Sequence, residues 1–141
     1  MELGCTMSDF RKVTDDFSVA PQLELADVAR AKAEGFVLLI NNRPDGEAPG
    51  QPTSDQVAAA AKAAGLGYAY IPVRGGPTPD QVEAERQMLS EITGPALAYC
   101  RSGNRSIATW SIGEALAGTR SRKELIALAA GAGYDLSGLL G

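Results

Sequence analysis

The stretch Pro95-Ala96-Leu97-Ala98-Tyr99-Cys100-Arg101-Ser102-Gly103-Asn104-Arg105-Ser106 decides the architecture. Its first half is a short apolar run of strand length, and a helix is expected from Ser106 to Ala117. Cys100 to Arg105 therefore form a tight strand-to-helix junction. Backbone N–H groups at such a junction have no helical partner. Together with the helix dipole they make a cradle for negative charge. A thiol on the floor of that cradle is expected to react as the thiolate. Gly103 lets the chain bend sharply with its amides facing inward. Arg105 carries a planar fork that clamps an anion through two hydrogen bonds. Ser106 is placed to donate to the sulfur or to a leaving group, while Arg101, Ser102 and Asn104 are expected to contribute chiefly backbone donors. An isolated cysteine at a strand end would read as a small buried residue; cysteine, glycine and arginine together at this junction point to chemistry.

Outward from this loop, strands and helices alternate. Phe17 to Ala20 reads as an opening strand paired with Arg11 to Val13. Leu25, Val28, Ala29 and Ala33 recur at helical spacing up to Gly35. Phe36 to Ile40 is a continuous apolar run, suited to a strand covered on both faces. Asn41 to Pro52, rich in Gly and Pro, reads as a loop. Thr53 with Gln56, and Thr78-Pro79-Asp80-Gln81, are helix starts of the capping-box type. The first of these helices runs to about Ala64, and the strand Gly67 to Val73 follows. Further helical segments are expected over Ser121 to Ala130 and Asp135 to Leu140. The expectation is an α/β fold: a central, mostly parallel sheet of four to five strands flanked by helices. Residues 1–9 read as a flexible tail and 10–141 as a single domain, the size one hydrophobic core supports.

Ligands of open parallel sheets bind beyond the carboxyl ends of the strands. Asn41-Asn42-Arg43, Arg74-Gly75-Gly76 and Cys100 to Ser106 all fall there. An acidic chain, with a net charge of −4, thus collects Arg43, Arg74, Arg101 and Arg105 on one rim. That pattern suits a small anion. Arg43 is read either as a ligand contact or as a brace for the loop. Arg74, beside a glycine pair, is a candidate substrate contact. Asp45 is the candidate general acid, with a plain turn residue as the competing reading. Trp110 is expected to pack in the core.

Composition excludes several classes. The net negative charge disfavours a nucleic-acid partner, and no apolar run approaches a membrane span. The opening residues lack the apolar stretch of a signal peptide, so a cytoplasmic protein is expected. The chain has no histidine. Ser-His-Asp and Cys-His mechanisms are therefore unavailable, and no metal or other cofactor is expected. Cys5 lies in the expected tail.

The run CRSGNRS resembles the active loop of single-domain rhodaneses. It is also similar to the Cys-x5-Arg loop of cysteine-dependent phosphatases, though one residue shorter. From Arg11-Lys12-Val13-Thr14 to Gly133-Tyr134-Asp135-Leu136 the chain resembles the phosphatase-like, rhodanese-like domain of beta-lactamase-hydrolase-like (Blh) proteins. The resemblance rests on Asp16 to Gln22, Asn42 to Glu47, Tyr99 to Ser106, Ile107 and Trp110. It implies a three-layer fold of the dual-specificity-phosphatase type, and a partner among persulfide dioxygenases or other sulfide-oxidation proteins. There are departures. Tyr99 stands where cysteine phosphatases usually have histidine, and Ile71 to Gly76, where their acid loop falls, holds no acid. The Asp-Val-Arg and Gly-His-Ile-Pro-Gly segments of rhodaneses are missing too.

Without a proton donor an alkoxide leaves slowly, whereas thiosulfate releases sulfite, which needs no proton. The function expected is therefore sulfur transfer through a Cys100 persulfide, from thiosulfate or a persulfide. The alternative is a cysteine-dependent phosphatase passing through a Cys100 phosphocysteine. A second alternative is a non-catalytic persulfide carrier or anion-binding partner of sulfide-oxidation enzymes.

Overall fold

The computed structural model describes residues 9–141. The expected tail and Cys5 lie outside the described residues, apart from Asp9. Two short strands, β1 (Arg11–Thr14) and β2 (Phe17–Ala20), form an antiparallel hairpin. Then follow α1 (Leu25–Ala33), β3 (Leu38–Asn41), α2 (Ser54–Ala64), β4 (Gly67–Tyr70), α3 (Pro79–Glu91), β5 (Ala96–Tyr99), α4 (Asn104–Ala117), α5 (Arg122–Gly131) and α6 (Ser137–Leu140). The sheet order is β1-β2-β5-β3-β4, with β2, β5, β3 and β4 all parallel. The chain is thus an α/β domain with a mostly parallel five-stranded sheet.

Local chemistry accounts for the helix starts. Thr53 and Thr78 each accept from the backbone N–H of Gln56 and Gln81, and each glutamine returns a bond to the cap's own N–H. Such a cap contributes about 1 kcal/mol. Of the boundaries that differ from the sequence expectation, three have a clear physical reason. β3 begins at Leu38, because Phe36 donates its N–H to Ala31 in the closing turn of α1. Phe36 thereby joins the core beneath that helix instead of extending the strand. β4 ends at Tyr70, since Pro72 has no N–H to continue the ladder. α4 begins at Asn104, two residues earlier than expected, with Gly103 as its N-cap at φ +96°.

Alternation along the strands splits the interior into two layers. Leu39, Leu97 and Tyr99 pack with Val28, Ala31, Val57 and Ala61 of α1 and α2. Ile40, Ala96 and Ala98 pack on the opposite face with Ile107, Trp110, Leu125 and Ala129 of α4 and α5. Trp110 stacks on Phe17 with ring centroids 5.0 Å apart, as expected of a core residue. All four residues of β5 are buried, so its carboxyl end delivers Cys100 to the middle of the sheet edge. No helix among the described residues is long and apolar enough to cross a membrane.

Candidate active site

Cys100 follows β5 directly and is fully buried. The backbone N–H of Gly103 points at its sulfur, 3.1 Å away. The remaining loop amides are aimed by their carbonyls. The Arg101 carbonyl accepts from the Gln22 N–H at 3.2 Å, and the Ser102 carbonyl accepts from the Tyr134 hydroxyl at 2.8 Å. Both carbonyls are therefore turned outward. In a planar trans peptide the N–H points the opposite way, so the amides of Ser102 and Gly103 face inward. The amides of Arg105 and Ser106, in the first turn of α4, have no acceptor among the described residues. The loop is a donor cradle with sulfur at its base. The sulfur is covered in this conformation.

Gly103 leaves no room for a side chain. Its φ is +96°, and a Cβ there would lie 2.1 Å from the Tyr134 hydroxyl oxygen.

The guanidinium of Arg105 is held by three hydrogen bonds. Nη1 and Nη2 each donate to the Glu47 carboxylate at 2.8 Å, and Nη1 also donates to the Val73 carbonyl at 2.9 Å. Arginine has five N–H donors. Its side edge, Nε–H and the second Nη2–H, thus stays uncommitted, with Cys100 beside it: Glu47 first and Cys100 further on hold Arg105 above its ordinary pKa. Glu47 also accepts from Arg43 Nε at 2.9 Å, while Arg43 Nη1 donates to Gln22 at 3.0 Å. Hydrogen bonds from Arg105 above all, and then from Arg43, hold the Glu47 carboxyl at about 2 despite its partial desolvation. Glu47 is therefore a permanent anion across the physiological range.

The other sequence candidates fall into place around this pair. Arg43 is buried at 6% exposure and spends its donors on Glu47 and Gln22, which is the bracing reading. Asp45 is engaged as a turn residue: its carboxylate accepts the Ser54 N–H at 2.8 Å, and its own N–H meets Tyr70 Oη. Arg74 and Arg101 are exposed on the rim. Asn104 is exposed and donates its N–H to Ser102 Oγ at 3.3 Å. The Ser106 hydroxyl is buried and has no hydrogen-bond partner among the described residues, so it does not donate to Cys100 in this conformation.

Two residues with no assigned role in the sequence reading matter here. Tyr134 turns the Ser102 peptide, and Glu47 orients Arg105. A second carboxylate after Asp45, in the segment next to Arg43 and facing a rim of arginines, was the available signal for Glu47. Replacing Glu47 by Gln should lower turnover about tenfold by freeing the guanidinium to swing. It should leave KM for an anionic substrate unchanged or lower, because a negative charge has been removed from the rim. Steady-state kinetics separate this from a blocking role, which would instead raise kcat/KM.

Comparison with known proteins agrees with this geometry. Residues 9–117 match the family described as "Beta-lactamase hydrolase-like protein, phosphatase-like domain". A Beta-lactamase hydrolase-like protein of Agrobacterium fabrum is 38% identical over 126 residues, which is 89% of this chain and 29% of that protein. The chain thus spans less than a third of that relative's length. The crystal structure of a candidate phosphatase from Neisseria meningitidis superposes with a TM-score of 0.81 at 32% identity, covering 92% of each chain. Kinase associated phosphatase, solved with its catalytic-site cysteine changed to serine, shares the fold with a TM-score of 0.70 at 14% identity, over 93% of this chain and 88% of that one. The architecture is that of the cysteine phosphatases. The family description and both solved structures name a phosphatase or phosphatase-like domain, and none of these descriptions mentions sulfur transfer.

Proposed function

The chain belongs to the phosphatase-like domain family of the Beta-lactamase hydrolase-like proteins, and from that membership we propose that it is a cysteine-dependent phosphatase acting through Cys100. The carrying observation is the loop in which inward amides and the free edge of Arg105 surround a single sulfur. The scaffold shared with cysteine phosphatases supports the alternative of the sequence reading over its first choice.

In this proposal, the phosphoryl group enters the cradle, and its oxygens take the Ser102, Gly103, Arg105 and Ser106 amides and the Nε/Nη2 edge of Arg105. Cys100 Sγ attacks phosphorus; the S–P bond forms as the ester P–O bond breaks. Water then cleaves the phosphocysteine. Its oxygen becomes the fourth phosphate oxygen, both its hydrogens stay on the released phosphate, and the thiolate returns.

The leaving group has no evident proton donor. Glu47 is ionised down to about pH 2, and Asp45 is bound to the start of α2. Substrates should therefore be aryl phosphates, whose phenolate departs unaided because phenols ionise near about pH 10. Alkyl phosphates should be turned over at least about a hundredfold more slowly. Arg74 and Arg101 then serve as rim contacts for the rest of an anionic substrate.

The test is parallel incubation with an aryl phosphate and with thiosulfate, followed by mass analysis of Cys100. A phosphoryl adduct with release of phenol supports the reading. A stable added sulfur with no aryl phosphate turnover would overturn it in favour of sulfur transfer.

A further inference from the structure

Behind the cradle lies a buried carboxyl that the proposed chemistry does not use. Glu85 of α3 is 2% exposed, and its only described hydrogen bond is from Asn42 Nδ2 to Oε1, at 3.3 Å. Asn42 is 0% exposed and donates also to the Ile71 carbonyl at 3.0 Å. Two buried oxygens of this pair, Asn42 Oδ1 and Glu85 Oε2, have no hydrogen-bond partner among the described residues. Both are acceptors as long as the carboxyl is ionised, and buried acceptors without donors are costly. A proton on Glu85 would turn Oε2 from an unpartnered acceptor into a donor, the kind of group that Asn42 Oδ1 lacks.

No cation among the described residues replaces that proton. Arg86, next to Glu85 on α3, is paired with Glu114 of α4 at 2.8 Å. Arg105 of α4 and Arg43, after β3, are both committed to Glu47. Arg74, after β4, together with Asp80 and Glu83 of α3, is exposed to solvent. Burial alone raises the carboxyl of Glu85, to about 7, with the Asn42 hydrogen bond opposing it.

Asn42 is the hub that ties this pair to the cradle. Its N–H bonds the Tyr99 carbonyl at 2.8 Å, one residue before the nucleophile. Its own carbonyl accepts from the Val73 N–H at 2.9 Å, and the Val73 carbonyl in turn accepts from Arg105.

We propose that Glu85 is a positioning residue held as a neutral carboxylic acid, whose hydroxyl donates to Asn42 and thereby keeps Val73, and through it Arg105, in register with Cys100. Ionisation inserts a bare negative charge opposite Asn42 Oδ1 and loosens that register. The effect on turnover rests on the phosphatase reading; the protonation state does not.

The sign follows from proton linkage. Below pH 4.5, the ordinary value, folded and unfolded chains both hold the proton. Between there and about 7 only the folded chain holds it, and stability falls as pH rises. Above that value both are ionised, and this contribution is flat.

Difference infrared spectroscopy of the full chain, between about pH 5 and pH 8, reads the protonated-carboxyl carbonyl band directly. The expected result is a band that is present at the acid end, lost through neutrality and absent in Glu85→Gln. The amide of that variant replaces the acid without a titrating proton. Its thermal midpoint should lose the fall across this window, and its aryl phosphate turnover should lose the alkaline decline of about tenfold expected of the native chain. Absence of the band from the native chain at the acid end would overturn the proposal, as would an unchanged pH dependence of the midpoint in Glu85→Gln. Should that variant not fold, the native infrared titration decides alone. Should the native chain turn over no aryl phosphate, the band and the midpoint still decide the role of Glu85, and only the phosphatase reading fails.

Discussion

Changing Cys100 to serine abolishes turnover while leaving the fold and the anion cradle in place. The expected loss in kcat is at least about 10⁴-fold, the scale seen when a catalytic nucleophile is deleted. A hydroxyl is a poor nucleophile without a base to take its proton, and the chain has no histidine to provide one. The structural cost is small by comparison. Cys100 is fully buried and its sulfur accepts one hydrogen bond, from Gly103. A serine oxygen accepts the same bond and leaves only a slight void, so a change of about 1 kcal/mol or less is expected. The amides and Arg105 still face the cradle, so inorganic phosphate should bind the variant with affinity within about threefold of the native chain. Calorimetry and steady-state kinetics on the pair of proteins check both halves. Residual turnover above a hundredth of native would remove Cys100 from the chemistry, and loss of phosphate binding would show the sulfur to be essential to the shape of the loop.

The second large effect comes from one methyl group. Gly103→Ala places a Cβ 2.1 Å from the Tyr134 hydroxyl oxygen, at a backbone φ of +96°. The conformation costs an alanine about 1–2 kcal/mol. Displacing Tyr134 also breaks its 2.8 Å bond to the Ser102 carbonyl, worth about 1 kcal/mol more. These terms add to about 2–3 kcal/mol of stability. Activity should suffer further, because the Ser102 peptide is then free to rotate its N–H out of the cradle. A misplacement of this kind costs about 10²-fold in turnover. Tyr134→Phe isolates the second component: it keeps the ring and Gly103, removes only the hydroxyl, and should cost turnover less than Gly103→Ala does. Equal losses in the two variants would assign the whole effect to the hydrogen bond and none to the backbone conformation.

Both predictions draw on features that differ in how far they could be read from the chain alone. The strand-loop-helix unit around Cys100 was legible because every part of it is local. An apolar run ends, a glycine permits the bend, and a helix starts whose first amides have no partner. The capping boxes at Thr53 and Thr78 were legible for the same reason. The strand ends were less so. Phe36 sits in an unbroken apolar run, yet it closes α1, because a hydrogen bond to Ala31 competes with the sheet for its N–H. The preference for sulfur transfer rested on loop length and on a missing acid. Loop length is a local count, whereas phosphoryl binding depends on where the amides and Arg105 point, and the relatives carry a phosphatase-like scaffold.

From the sequence alone came the alternation of strands and helices, the candidate nucleophile, and the gathering of arginines beyond the strand ends, since each follows from hydrophobic period, chain chirality and short-range hydrogen bonding. Only the tertiary structure gave Arg43 and Arg105 their partners. Arg105 meets Glu47 across 58 positions of sequence, and Tyr134 reaches Ser102 across 32. Contacts at such separations depend on how layers of helices settle on the sheet. That packing decides which charges neutralise one another and which hydrogen-bond edges stay open to an anion.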